Sequence, residues 1–253
     1  MRTSCRVGSA RLPTSKTKRT DKTLEPLEGG VLTVGSLFAG IGGIELGLER
    51  TGGFKTVWQV ENDEYATRVL EKHWPNVRRW DDVRTFCPTP VDIVCGGFPC
   101  QPFSSAARGR NNAEDLWSEM YKIIEQIRPR LVLAENVAQR AIDRAAWSLQ
   151  SLGYRETRFR LGADDLGADH PRHRWWVCAY ANDQSELHST LNAKMAELPQ
   201  ICEGVWGWPR FAERCRVSDG VSSRVDRLRC LGNAVVPAVA QWIGERILEA
   251  ETT

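Results

Sequence analysis

The chain has 253 residues, enough for one good-sized domain and a small appendage, and its 42% hydrophobic residues with ten Trp allow a substantial core. Net charge is +2, but residues 1–30 carry seven Lys or Arg against three Asp or Glu, leaving 27 against 29 in the remainder, so charge alone does not point to nucleic acid. No apolar run follows the N-terminal charges, which argues against a signal peptide.

Residues 1–30, rich in Ser, Thr, Lys and Arg and without apolar periodicity, read as a disordered basic tail with no essential role. From Val31 the pattern alternates strand and helix. A strand over 31–38 leads to a helix from 43 to about 50, then a strand over 54–60 and a helix over 65–73. The stretch 31–48 is apolar, but its glycines and Glu45 argue against a membrane span. A buried strand over 91–95 follows. Leu116, Met120, Ile123, Ile124 and Ile127 then recur on one helical face. Residues 131–134 read as another buried strand and 138–152 as another helix. Such alternation predicts a parallel sheet with helices on both faces. Residues 155–161 and 175–180 suit an antiparallel pair closing that sheet. Residues 181–228 are polar and weakly periodic, marked by Trp206 and Trp208, and Val235, Val239, Trp242, Ile243 and Ile247 outline a last amphipathic helix.

The segment Gly96-Gly97-Phe98-Pro99-Cys100-Gln101-Pro102-Phe103-Ser104 places a thiol on a Pro-braced, Gly-flanked turn at a strand end, where open α/β sheets carry reactive groups. Cys95, inside the apolar run, reads as a small buried hydrophobe. The eight Cys show no Cys-x-x-Cys pair and no neighbouring His in zinc spacing, so they read as reduced thiols with no metal site. Gly40-x-Gly42-Gly43, with the next glycine at Gly47, is not the Gly-x-Gly-x-x-Gly run of a pyrophosphate site. Glu61, about twenty residues on, suits ribose hydroxyls. Neither feature by itself separates a nicotinamide dinucleotide from S-adenosylmethionine. Arg172 and Arg174, two apart, project from one side of an extended segment. Arg210, Arg214, Arg216, Arg224, Arg227 and Arg229 crowd one short stretch, fit either for phosphate contact or for a solvated surface.

Together these segments resemble the motifs of cytosine-5 DNA methyltransferases, in the family's order over most of residues 31–250. Phe38-Ala39-Gly40-Ile41-Gly42-Gly43 looks like the cofactor loop, Glu61-Asn62 like the acidic end of the second strand, and Asp81-Asp82-Val83 like the third motif. The Cys100 segment resembles the catalytic loop, and Glu135-Asn136-Val137 the catalytic glutamate motif. Arg172-His173-Arg174 and Gly232-Asn233-Ala234-Val235 resemble two later motifs. The resemblance implies a Rossmann-like S-adenosylmethionine-dependent sheet with helices on both faces. It divides the chain into a catalytic domain over 31–180, a short target-recognition region over 181–228 and a C-terminal helix, 229–253, completing the first.

It also implies roles. Cys100 adds to carbon 6 of a flipped cytosine, and Glu135 hydrogen-bonds the exocyclic amine and favours protonation at ring nitrogen 3. Arg174 lies nearest the base with Arg172 in support, and Asn136 tethers the catalytic loop. Phe38 packs on the adenine side, the amides of residues 39–43 hold the methionine end, Glu61 with Asn62 meets the ribose, and Asp82 with Val83 meets the adenine. Gly97 and Pro99 supply backbone contacts, Leu116 covers the adenine and Asn233 closes the pocket. Gln101, Ser104, Arg108 and Arg110 form a lid that contacts DNA, with Arg224 and Arg227 on phosphates. The implied partner is double-stranded DNA, contacted by a cytoplasmic monomer of bacterial or phage-infected cells. It is either an orphan or phage-type enzyme, or one with a cognate restriction endonuclease or specificity partner. Two departures stand out: Ser36 sits where many relatives carry Asp, and His170 replaces a Gln. Other readings are a tRNA cytosine methyltransferase, although the Cys-Phe-Thr tripeptide of that branch is absent, and a non-catalytic DNA-binding relative.

Overall fold

The computed structural model describes residues 30–99, 116–181, 185–197 and 231–252. Seven strands form one sheet: β1 (Leu32–Leu37), β2 (Phe54–Val60), β3 (Arg78–Trp80), β4 (Ile93–Gly97), β5 (Leu131–Asn136), β6 (Tyr154–Leu161) and β7 (Arg174–Ala181). Their order is β3-β2-β1-β4-β5-β7-β6. The first five run parallel, and β7 lies antiparallel to both β5 and β6. The expected closing pair is therefore present. β1 sits between β2 and β4, so the chain leaves β1 towards one side and later returns on the other. That reversal opens a crevice at the C-terminal ends of β1 and β4.

Alternation along the central strands explains the layers. Ile93 and Cys95 of β4, Leu131 and Leu133 of β5, and Trp176, Cys178 and Tyr180 of β7 enter one apolar cluster; Val94, Val132, Ala134, Val177 and Ala179, one residue out of phase, enter the other. The helices α1 (Gly43–Arg50), α5 (Ser185–Ala196) and α6 (Pro237–Glu251) cover the first face; α3 (Trp117–Ile127) and α4 (Gln139–Ser151) cover the second. Each fully buried Leu, Ile or Val contributes roughly 1.5–3 kcal/mol from area removed from water. The remaining helix, α2 (Glu64–His73), starts where the Asp63 carboxylate accepts from the N–H groups of Tyr65 and Ala66, both at 3.0 Å. Helix α6 opens with Pro237, which pre-sets the first turn. It packs tightly on α1, because a Cβ at Gly47 would come within 2.3 Å of the Pro237 carbonyl.

Two elements go beyond the sequence reading. β3 is only three residues long, paired to β2 through Trp58, Gln59 and Val60. Helix α5 lies inside the stretch assigned to target recognition, yet Leu191 and Met195 are buried in the same cluster as α1 and α6, so this part of residues 181–228 belongs to the folded body. Its apolar stripe, Leu187, Leu191 and Met195, recurs every fourth residue amid polar neighbours, which hides it in a hydropathy reading. Among the described residues, no helix is long and apolar enough to cross a membrane.

Candidate active site

A cavity of about 940 Å³ fills the crevice, in the size range of small-molecule sites. On one side stands the turn between β1 and α1. Phe38 and Gly40 hold φ of 55° and 56°, and Gly42, which precedes the helix, holds 85°. A left-handed Phe is strained by about 1–3 kcal/mol, and such strain concentrates at ligand sites. Gly40 and Gly43 serve different ends. A Cβ at Gly40 would meet no atom within 4 Å, whereas one at Gly43 would strike the Val235 carbonyl at 2.3 Å. The second contact seats the turn against the C-terminal segment.

Glu61, just past β2, braces the turn from the other side. One carboxylate oxygen accepts the Gly40 N–H at 2.6 Å and the other the Asp63 N–H at 2.8 Å. Burial raises its pKa above the ordinary carboxyl value, against the lowering effect of these amides. Asp82 Oδ1 accepts the Arg84 N–H at 2.9 Å and fixes the turn after β3.

The opposite wall comes from β4 and β5. Gly97 pairs with Glu135 in the parallel register. A Cβ at Gly97 would lie 2.7 Å from Glu135 Oε2, so the glycine makes room for the carboxyl. Arg174 Nε stands 3.0 Å from Glu135 Oε1. That contact is charge against charge: its direction does not meet hydrogen-bond geometry, and Oε1 accepts from no described residue. Burial pushes Glu135 up to about 7, opposed by Arg174 and then Arg172. Asn136 donates Nδ2–H to the Phe98 carbonyl at 2.8 Å and accepts the Ala138 N–H at 3.0 Å. The strand end carrying Glu135 is thereby tied to the backbone two residues ahead of Cys100.

Arg172 turns elsewhere. Its guanidinium donates to the carbonyls of Ala234 (3.0 and 2.7 Å) and Gly232 (2.6 Å), so it pins the segment around Asn233 beside the cavity. Between the two arginines, His173 points away into a short 3₁₀ turn (Asp164–Leu166). Its Nε2 lies 3.0 Å from Asp164 and its Nδ1 3.5 Å from Asp165. The carboxylates approach different ring nitrogens, an arrangement that holds an imidazole in place more naturally than it chelates one ion. Asp165 also accepts the Gly162 N–H at 2.8 Å. This clamp was not read from the sequence. The alternation of Arg172, His173 and Arg174 was its one signal, since the middle residue of an extended triplet must face the other way.

The cavity brings together Phe38, Ala39, Gly40, Ile41, Gly43, Glu61, Asn62, Asp82, Val83, Gly97, Pro99, Leu116, Asn233, Glu135, Asn136 and Arg174. Gly42 and Arg172 are not among its lining residues; a Cβ at Gly42 would face Trp74. Cys100, Gln101, Ser104, Arg108, Arg110, Arg224 and Arg227 lie outside the described residues, as does residue 206 with the rest of the Trp- and Arg-marked stretch. Cys95 is fully buried, and burial pushes its thiol well up, as suits an inert core residue.

A mixed sheet with a ligand-sized cavity at the β1/β4 crevice, walled by a glycine turn and a buried Glu–Arg pair, has the layout of an open α/β fold that binds its ligand at the strand ends. The family described as C-5 cytosine-specific DNA methylase matches residues 32–206, and the chain belongs to it. It is 37% identical over 114 residues to the Type II methyltransferase M.Bsp6I of Bacillus sp. (strain RFL6), covering 42% of this chain and 36% of that protein. It is 29% identical over 215 residues to the Type II methyltransferase M.CviJI of Paramecium bursaria Chlorella virus IL3A, covering 79% and 55%. The chain thus spans roughly a third to a half the length of these curated relatives. In fold it is similar to a candidate DNA modification methyltransferase encoded within an E. coli prophage, with a TM-score of 0.62 at 18% identity, covering 88% of this chain and all of that one. A methyltransferase of Entamoeba histolytica gives a TM-score of 0.57 at 14% identity, covering 87% and 98%.

Proposed function

We propose that this protein transfers a methyl group from S-adenosylmethionine to carbon 5 of cytosine in double-stranded DNA. One observation carries the reading: a single cavity is lined both by the strained glycine turn with Glu61 and by the buried Glu135–Arg174 pair. The first wall fits a nucleoside donor. It offers an open-sided Gly40, a carboxylate at a strand end, Asp82 and Leu116. The α1 N-terminus suits a carboxylate. Once bound there, the donor supplies an electrophilic methyl.

The second wall fits an activated pyrimidine. A carboxyl poised near neutrality donates a proton to ring nitrogen 3 as the Cys100 thiolate adds to carbon 6, leaving carbon 5 nucleophilic; after methylation, loss of the carbon 5 proton to solvent and return of the nitrogen 3 proton to Glu135 break the carbon 6–sulfur bond and free the thiolate. Arg174 compensates the carboxylate when the proton has gone. Asn136 holds the backbone leading to the thiol. The cytosine must leave the duplex to reach this wall, at a few kcal/mol. Residues 101–112, the rest of the 181–228 stretch and the C-terminal arginines are assigned to that step and to target choice. The relatives named Type II methyltransferases favour a DNA substrate.

Expression in a host free of cytosine methylation, followed by bisulfite sequencing, tests the reading and yields the target. Protected cytosines in one sequence context are expected, and their loss in Cys100→Ser with S-adenosylhomocysteine binding kept. An unmodified genome alongside methylated RNA would move the substrate to the tRNA alternative. Full methylation by the serine variant would remove Cys100 from the chemistry.

A further inference from the structure

Two oxygens beneath the cavity, Ser36 Oγ and Glu45 Oε2, meet no strict hydrogen-bond geometry among the described residues, although the Ser36 hydroxyl lies close enough to Glu45 to lower its pKa. Both side chains are 1% exposed. Ser36, near the end of β1, lines the cavity floor; Glu45 reaches the same place from the first turn of α1. The other carboxylate oxygen of Glu45 accepts Gln59 Nε2–H at 3.3 Å, and Gln59 is itself fixed by Arg79 Nε–H at 3.0 Å. Ser36, Gln59, Glu49 on the same helix and Cys95 on β4 are the polar and titratable groups that influence this carboxyl. None is a cation. Burial therefore pushes Glu45 up to about 7, further raised by Glu49 and only partly offset by its own backbone, Ser36 and Gln59.

A sealed carboxyl without a counter-charge is costly, and a wholly apolar floor would be the cheaper solution. A ligand cation on the floor reverses that balance. The amino-acid end of the donor carries one carboxylate and one ammonium. The glycine turn and the α1 N-terminus favour the carboxylate, so the ammonium is left to find acceptors. We propose that Glu45, acting through Ser36, is the counter-charge that selects a donor with a free α-ammonium: the ammonium donates to Ser36 Oγ, and the Ser36 hydroxyl donates on to Glu45 Oε2. One hydroxyl then accepts from the ligand while its own proton turns fully to Glu45 Oε2. Any proton that Glu45 holds in the free protein passes to solvent as the cation arrives. Glu45 is a positioning residue here, since Ser36 alone touches the ligand. The inference rests on the cavity being the S-adenosylmethionine site.

Calorimetric titration of the full chain with S-adenosylhomocysteine and with methylthioadenosine, which shares the adenosine and sulfur but lacks the amino-acid group, separates the two ideas. Measured near pH 6.5 in buffers of different ionisation enthalpy, binding of the first is expected to release a fraction of a proton and of the second none. Glu45→Gln should weaken S-adenosylhomocysteine about tenfold, the scale of one charge-assisted hydrogen bond, abolish the proton release and leave methylthioadenosine within about twofold. Ser36→Ala, which disturbs the helix less, should do the same. Unchanged S-adenosylhomocysteine affinity and proton release in Glu45→Gln would overturn the relay while leaving the donor site standing. A wild-type chain that binds neither nucleoside would overturn both.

Discussion

Glu45 beneath the cavity floor and Glu135 on its wall are both buried, and burial lifts both to about 7, yet their surroundings share almost nothing. Glu135 faces Arg174 at 3.0 Å with Arg172 behind, on a strand end tied down by Asn136. Its charged form has compensation ready, as the proposed proton transfer within one turnover requires. Glu45 faces an amide, a hydroxyl and a thiol, and among the described residues no cation offsets its ionisation. Similar pKa values are thus compatible with unequal proposed functions: a pair of arginines suits a carboxyl to carry a proton, and their absence suits it to meet an arriving cation.

The sharpest way to break the comparison is to neutralise each carboxyl in turn and measure single-turnover transfer. Glu135→Gln keeps size and hydrogen-bonding capacity but cannot exchange a proton; a loss of about 10³-fold is expected, with donor affinity nearly unchanged. Glu45→Gln should lose donor affinity and keep most of the rate at saturating donor. Equal rate losses in the two variants would erase the distinction.

Stability against pH gives the next effect. The folded-state value of Glu45 lies above the ordinary 4.5 of an unfolded carboxyl, so the folded chain keeps a proton that the unfolded chain releases first. Its contribution is intact below pH 4.5 and is lost as pH rises through 7. Urea unfolding between about pH 5 and pH 8 should therefore show wild type losing roughly 2–3 kcal/mol relative to Glu45→Gln. Parallel pH profiles would mean that Glu45 ionises freely in the fold.

Much of this arrangement was legible in the residues. Alternating strands and helices gave the parallel sheet because each buried strand is a short apolar run and each helix carries a stripe. The Glu135 and Gly97 segments were legible because both carry a polar or glycine signature at the end of such a run. Helix α5 was not, since its three large apolar residues look like scatter among polar ones, nor was β3, whose three residues pair with Trp58, Gln59 and Val60 of β2. The inward turn of Glu45 beside Ser36 was invisible for a different reason. Glu45 looks like an ordinary first-turn acid, and only tertiary packing turns it inward to β1, β2 and β4.

The smallest effect concerns Asn136, whose two side-chain atoms do separable work. Nδ2–H holds the Phe98 carbonyl and so the path to Cys100; Oδ1 accepts the Ala138 N–H at the start of α4. Asn136→Ala removes both and should cost about 1–2 kcal/mol in unfolding free energy, with a slower transfer step. Asn136→Asp removes only the donor: its carboxylate still accepts at a helix start, where negative charge is favoured, but it faces the Phe98 carbonyl with nothing to give. The Asp variant should therefore unfold less readily than the Ala variant while transferring methyl groups equally slowly. That split follows only if Phe98 belongs to the catalytic wall and Ala138 to the scaffold. An Asp variant with wild-type rate would show that the approach to Cys100 is held by other contacts, and the Asn136 bond would then serve the helix alone.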